Sequence, residues 1–149
     1  RMPPPVMVLL ENTAGQGSCL GHRFEQLAGI YEKIREQGRV GFCLDTCHLF
    51  AAGYDIRTRE GYRRTLLEFH RLIGLELVRA FHVNDSKSGL ARRVDRHAHI
   101  GKGLLGLEPF RHLMNDRRFA LVPKILETPK GPDLEEDRMN LEVLRGLRL

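Results

Sequence analysis

The sequence predicts an α/β domain of four strand–helix units, with parallel strands inside and helices outside. Three observations carry that prediction. Four short, largely aliphatic runs recur along the chain, each followed by turn residues; runs of that kind fit strands buried on both faces. Between them, apolar residues return at steps of three and four, the spacing of one helix face. Strand and helix alternate throughout, which calls for a parallel sheet.

Val6-Met-Val-Leu-Leu10 is the first run and closes on Glu11-Asn-Thr-Ala-Gly15. Phe24, Leu27, Tyr31 and Ile34 form the first helical stripe. Val40-Gly-Phe-Cys-Leu44 is the second strand, ending in Asp45-Thr-Cys-His48, and Tyr62, Leu66, Phe69 and Ile73 make the next stripe. Leu77-Val-Arg-Ala-Phe81 follows, ending in His82-Val-Asn-Asp85, with Leu107, Phe110 and Met114 on the helix behind it. Leu121-Val-Pro-Lys-Ile-Leu126 ends in Glu127-Thr-Pro129. Leu134, Leu141 and Leu144 place the last helix, with Asp133 as its expected N-cap and Glu135 and Glu136 at its positive end. The lead-in, Arg1-Met-Pro-Pro-Pro5, reads as a rigid segment and not as a targeting leader.

Bulk properties narrow the class. The 149 residues suit one domain, and no apolar run nears the roughly 18 residues of a membrane span, so a cytoplasmic protein is expected. Cys19, Cys43 and Cys47 lack a C-x-x-C spacing and are expected to be buried free thiols in a reducing compartment. An excess of 24 basic over 19 acidic residues suits a polyanionic partner without requiring one.

Each predicted strand closes on an ionisable residue: Glu11, Asp45, His82 and Glu127. In parallel α/β architectures such ends gather on one face, where active sites are built. Carboxylates collected there without a positive partner are costly to bury, and a cluster of cations offsets that cost. The loops add further donors. His48 follows Asp45 by three residues, and Asp95 and His97 are two apart, so an extended segment points both the same way. Gly101 and Gly103 let that loop fold back toward the site. Mixed carboxylate and imidazole donors suit Zn²⁺, with Mn²⁺ or Fe²⁺ as alternatives. Around Asp95 and His97 stand Lys87, Arg92, Arg93, Arg96 and Lys102, a basic set suited to gripping a polyanion backbone.

Several features argue for less. Gly15-Gln-Gly17 with Gly21 misses the dinucleotide fingerprint and reads as a flexible turn. His22, His70 and His112 fall near or within helices and are expected to face solvent, while His99 is a candidate supporting residue beside His97.

Taken together, Leu10-Glu-Asn-Thr-Ala-Gly-Gln-Gly17, Cys43-Leu-Asp-Thr-Cys-His48, Phe50-Ala-Ala-Gly-Tyr-Asp55, His82-Val-Asn-Asp-Ser-Lys87, Arg93-Val-Asp-Arg-His97 and Ile125-Leu-Glu-Thr128 resemble the endonuclease IV family of abasic-site nucleases, in family order. The resemblance implies a TIM barrel with three zinc ions and hydrolysis of DNA on the 5′ side of an abasic site, leaving a 3′-hydroxyl. It makes Glu11 the carboxylate bridging two ions. It gives Asp45, His82 and Glu127 to the adjacent site, and His48, Asp95 and His97 to the third. Glu127 and Glu11 are the expected catalytic residues, and Arg93, Arg96, Lys87 and Lys102 the expected DNA contacts.

The resemblance covers only the C-terminal half of that family. A complete barrel has eight strands and about 250 residues, whereas four units are read here, so residues 1–149 are expected to form one partial barrel lacking its N-terminal half. Two histidine ligands and most of the loops that enter the DNA minor groove belong to the missing half. A complete barrel would be a monomer, while a natural half-barrel would pair as a dimer to cover its sheet edges. Two rival readings stand beside the nuclease. One is a metal-dependent sugar isomerase of related architecture, which has no use for the His48, Asp95 and His97 trio; the other is a fragment that binds metal and DNA without turnover.

Overall fold

The computed structural model describes residues 6–149; the lead-in Arg1–Pro5 lies outside them. In chain order the elements are β1 (Val8–Glu11), α1 (Phe24–Glu32), β2 (Val40–Asp45), α2 (Thr46–Ala52), α3 (Arg59–Leu72), β3 (Val78–His82), β4 (Asp85–Ser86), β5 (His97–Ala98), α4 (Glu108–Met114), β6 (Lys124–Ile125) and α5 (Glu135–Gly146). The main sheet runs β1-β2-β3-β6, every pairing parallel. The register aligns the strand ends: Glu11 sits opposite Cys43, Asp45 opposite His82, and His82 opposite Ile125.

The helices line one face, with α3 packed between α1 and α4, and α4 against α5. All seven phenylalanines are buried there. Phe69 stands edge-on to Phe24 at 5.2 Å and to Phe42 at 5.5 Å between ring centres, joining α3 to α1 and β2. Each such ring contributes about 1.5–3 kcal/mol on leaving water. Thr58 caps α3, its hydroxyl accepting from the Gly61 amide at 3.0 Å, and Gly53 ends α2 in the left-handed region at φ 113°.

Several expectations need correction. Of the four strands in the main sheet only β2 is buried along its whole length; β1 and β6 are the outer strands, and Val8 is 57% exposed. The last strand shrinks from Leu121–Leu126 to Lys124–Ile125, because Pro123 has no amide to donate and residues 117–119 coil into a 3₁₀ turn; Leu121 projects outward, 98% exposed. Ile34 falls beyond the end of α1. The N-cap of α5 is Leu134 at φ 59°, not Asp133, whose carboxylate reaches only the Glu135 amide at 3.5 Å. The buried face of α5 is Asn140, Leu144 and Leu147, with Leu134 and Leu141 left outside, since Asn140 turns its amide inward to a polar network described below. Cys43 and Cys47 are buried as expected, but Cys19 is exposed on the loop before α1. None of the described helices is long and apolar enough to cross a membrane.

Candidate metal centre

The strand ends deliver the donors. Glu11, Asp45 and His82 are the last residues of β1, β2 and β3, and Glu127 stands two residues past β6. His48 lies in the first turn of α2, which starts directly after β2. His97 opens β5, pairing antiparallel with β4 in a two-residue ribbon that folds the long loop back over the sheet end. Asp95 precedes it, its amide donating to the Gln16 side chain at 3.0 Å. Gly101 turns at φ 75°, and a Cβ on Gly103 would clash with the Asp85 carboxylate and the Ser86 carbonyl, so both glycines are needed for the return of the loop.

Two donor groups result. Ligand atoms of Glu11, Asp45, His82 and Glu127 lie within 4.8 Å of one another, as do those of Asp45, His48 and His97. His82 Nδ1 is 3.0 Å from Glu11 Oε1 and 3.0 Å from Glu127 Oε2. His48 Nε2 and His97 Nε2 face each other at 3.4 Å, each 3.2 Å from an oxygen of Asp95. Donors held at about 2.0–2.1 Å by one tetrahedral ion lie about 3.3 Å apart. The two imidazole nitrogens therefore already have the spacing of two corners of such a shell, with an Asp95 oxygen at a similar distance from each. Asp45 borders both groups, with Oδ2 3.8 Å from His97 Nε2.

The surroundings orient these side chains. His97 Nδ1 faces the Glu127 carbonyl at 3.0 Å and His48 Nδ1 the Asn12 carbonyl at 2.9 Å. Donating there frees both Nε2 lone pairs for a cation. Asn84, fully buried, donates to Asp45 Oδ2 at 2.7 Å and accepts the Glu127 amide at 2.8 Å, so one amide ties the tip of β2 to that of β6. Asn12 accepts the Asp45 amide at 2.7 Å. Without a cation, protons balance the charge. Burial raises the Asp45 carboxyl, against the pull of His48. Burial also opposes charge on His48, but the Glu11 hydrogen bond, with Asp45 and Asp95 behind it, prevails and lifts the imidazole to about 10. Burial likewise works to raise Glu11, yet hydrogen bonds from His48 and His82 hold it below its ordinary range.

The family description "Xylose isomerase-like TIM barrel" matches residues 4–147. The chain belongs to that family. Its four parallel strands and outer helices form half of a TIM barrel, and over 95% of its length it superposes on the crystal structure of endonuclease IV from Thermus thermophilus with a TM-score of 0.82 and 43% identity, covering 49% of that chain. It is 64% identical over 141 residues to a protein of Geobacter sulfurreducens and 61% identical to one of Chloroflexus aurantiacus, both named "Probable endonuclease 4". The chain spans about half the length of these relatives, 48% and 50%.

Within this TIM-barrel half, Lys87, Arg93, Arg96 and Lys102 are carried by the loop that holds Asp95 and His97; Lys87, Arg93 and Lys102 are exposed and Arg96 is also open to solvent. Arg93 adopts φ 54° and is held by its amide on the Ala51 carbonyl at 2.9 Å. His22, His70 and His112 stay outside both donor groups; only His70 of the three is well exposed. His99 Nδ1 is 3.1 Å from the Asn140 amide, which donates to Thr128 Oγ1 at 3.0 Å, so His99 meets a network that ends next to Glu127. Sequence reasoning did not single out Asn12, Asn84, Asn140 or Gln16. Polar residues directly after strand ends, as in Glu11-Asn12 and His82-Val-Asn84, were the available signal. It also treated Cys43 and Cys47 as mere filler, whereas their sulfurs lie within 4.8 Å of Glu11 and His82, and of Asp95 and His97, respectively.

Proposed function

We propose that residues 1–149 form the metal-binding half of a barrel enzyme that hydrolyses DNA on the 5′ side of an abasic site, leaving a 3′-hydroxyl. The observation that carries this reading is the second donor group: His48 and His97, their Nε2 atoms 3.4 Å apart with Asp45 beside them and an Asp95 oxygen 3.2 Å from each, next to Glu11, Asp45, His82 and Glu127. Two adjacent groups rich in carboxylate and imidazole suit Zn²⁺, with Mn²⁺ or Fe²⁺ as substitutes. Bound there, such ions would acidify water and neutralise charge on a phosphodiester. The chain's own side chains do the rest. Asp45, anchored by Asn84 and Asn12, spaces the two groups. Glu11, held below its ordinary pKa, stays ionised and would be a carboxylate ligand for such ions. Glu127 is 44% exposed at the rim and is the carboxylate best placed to take a proton from attacking water. Arg93, Arg96, Lys87 and Lys102 would hold the DNA backbone, a contact that weakens with salt.

The relatives' printed names support a nuclease, and the family description keeps a sugar isomerase as the second reading. The two differ in metal count and in reaction. Mass spectrometry of the native protein and parallel assays of abasic duplex nicking and ketose–aldose interconversion test them. Nicking with ions at both donor groups is the expected result; isomerisation without nicking would sink the nuclease. Because the chain spans half of its relatives, the isolated 149 residues are expected to nick far more slowly than a full-length protein containing them.

A further inference from the structure

A groove of about 980 Å³ lies on the outer flank between α3 and α4, and none of the donor residues lines it. Six arginines line it against two carboxylates, Glu60 and Asp116. Asp116 is taken by Arg118 at 2.6 Å, and Arg111 reaches Glu108 at 3.2 Å. Among the described residues, Arg59, Arg63, Arg64 and Arg117 form no ion pair. Four such guanidiniums in one groove repel one another and make it complementary to a polyanion.

Two features say which polyanion. The first is continuity. Arg64 also lines a second cavity of about 330 Å³, shared with Arg23 and Arg93. Arg93 lies two residues before Asp95; of the three acids lining that cavity, Glu25 and Asp55 are paired with Arg23 and Arg57, and Glu68 is outnumbered by Arg64 and Arg93. A basic track therefore runs from the candidate metal centre, past Arg93 and Arg64, into the flank groove. The second is direction. Connecting parallel strands β2 and β3, α3 runs opposite to them, so Arg59 in its first turn stands at the rim that carries the donors. From there its 14 residues descend for about 21 Å, the axial length of about six base pairs. The groove is built on α3, which connects the inner strands β2 and β3. Further barrel units would extend the sheet at β1 and β6 and leave it open.

We propose that the α3–α4 groove is a second backbone-binding surface, which grips duplex DNA extending beyond the candidate metal centre through Arg59, Arg63, Arg64 and Arg117. This rests on the reading that the protein acts on DNA. An acidic protein would meet the same arginines, but only nucleic acid accounts for the track leading to a phosphodiester centre.

The test uses the full-length protein containing this chain and its R63E/R117E variant, with R63Q/R117Q as the milder form. Binding to undamaged duplexes of about one and about three helical turns is measured in chelator across a salt series, with thermal melting as the check on folding. The expected result is a loss of about tenfold on the long duplex, with a salt slope shallower by about two, and no matching loss on the short one. Equal losses on both lengths, or none on the long duplex, would overturn the groove. If the parent protein binds neither duplex, the groove proposal falls, while the DNA reading stands or falls separately on the nicking of abasic duplex.

Discussion

The middle strand β2 and the outer strands β1 and β6 end in the same kind of residue under opposite conditions. Every residue of β2 is buried, and its terminal carboxylate, Asp45, has no exposed side-chain surface. Glu11 at the end of β1 keeps 32% of its side-chain surface, and Glu127 beyond β6 keeps 44%. Asp45 is held by Asn84, by the His48 amide at 2.8 Å and through Asn12. Glu127 is anchored through its backbone amide, with one carboxylate oxygen against His82 at 3.0 Å and the side chain still 44% exposed. The difference separates two tasks. On the proposed function, the centre of the sheet would fix where cations sit, while the margins would present groups to water and substrate.

The sharpest way to break that division is at the margin. Changing Glu127 to Gln should lower the cleavage rate of the full-length protein by about 10²–10⁴-fold while leaving much of the DNA affinity, read from single-turnover kinetics and binding. A wild-type rate would remove Glu127 from the catalytic list. In the centre, Phe69→Ala should destabilise the fold by about 3–5 kcal/mol, measured by urea unfolding; a change below about 1 kcal/mol, nearer the level expected for surface sites, would mean that β2 is not the anchor. Asn84→Ala should weaken metal binding by about 10–100-fold, read by titration against a chelating dye, with Asn84→Asp unable to restore the amide's donation to Asp45. Unaltered affinity would show that the two strand tips do not depend on their shared amide.

Smaller effects sharpen the comparison. With His48 raised to about 10 in the metal-free fold, its contribution to stability is fully present below its ordinary value near 6.5 and disappears as pH rises through about 10. The metal-free protein should therefore melt at lower temperature across that window, and His48→Gln should flatten the trend. At the outer strand, Val8→Thr should shift stability by no more than about 0.5 kcal/mol when only this half of the barrel is present. A larger loss would mean that β1 is covered.

The gathering of Glu11, Asp45, His82 and Glu127 at one end of the sheet was legible because the pattern repeats. Each follows an aliphatic run, and the parallel sheet brings such ends together. The i, i+2 spacing of Asp95 and His97 also carried over, although the loop reaches the site through a β4–β5 ribbon that two residues per strand cannot announce. Exposure of β1 and β6 was not legible, since an aliphatic run looks the same whether or not a neighbour covers it. The α5 face was misread because Asn140 breaks the apolar pattern while pointing inward. Asn12 and Asn84 were missed for a related reason: an asparagine after a strand usually makes a turn, and only the fold reveals that it holds a carboxylate.

The two thiols beneath the donor groups carry one more consequence. Burial pushes Cys43 and Cys47 up to about 12, so at neutral pH both stay protonated and leave the harder oxygen and nitrogen donors to bind first. Soft ions such as cadmium or mercury drive sulfur deprotonation, and they would find one sulfur under each group. On the proposed function, soft metals would enter at the floor of the site.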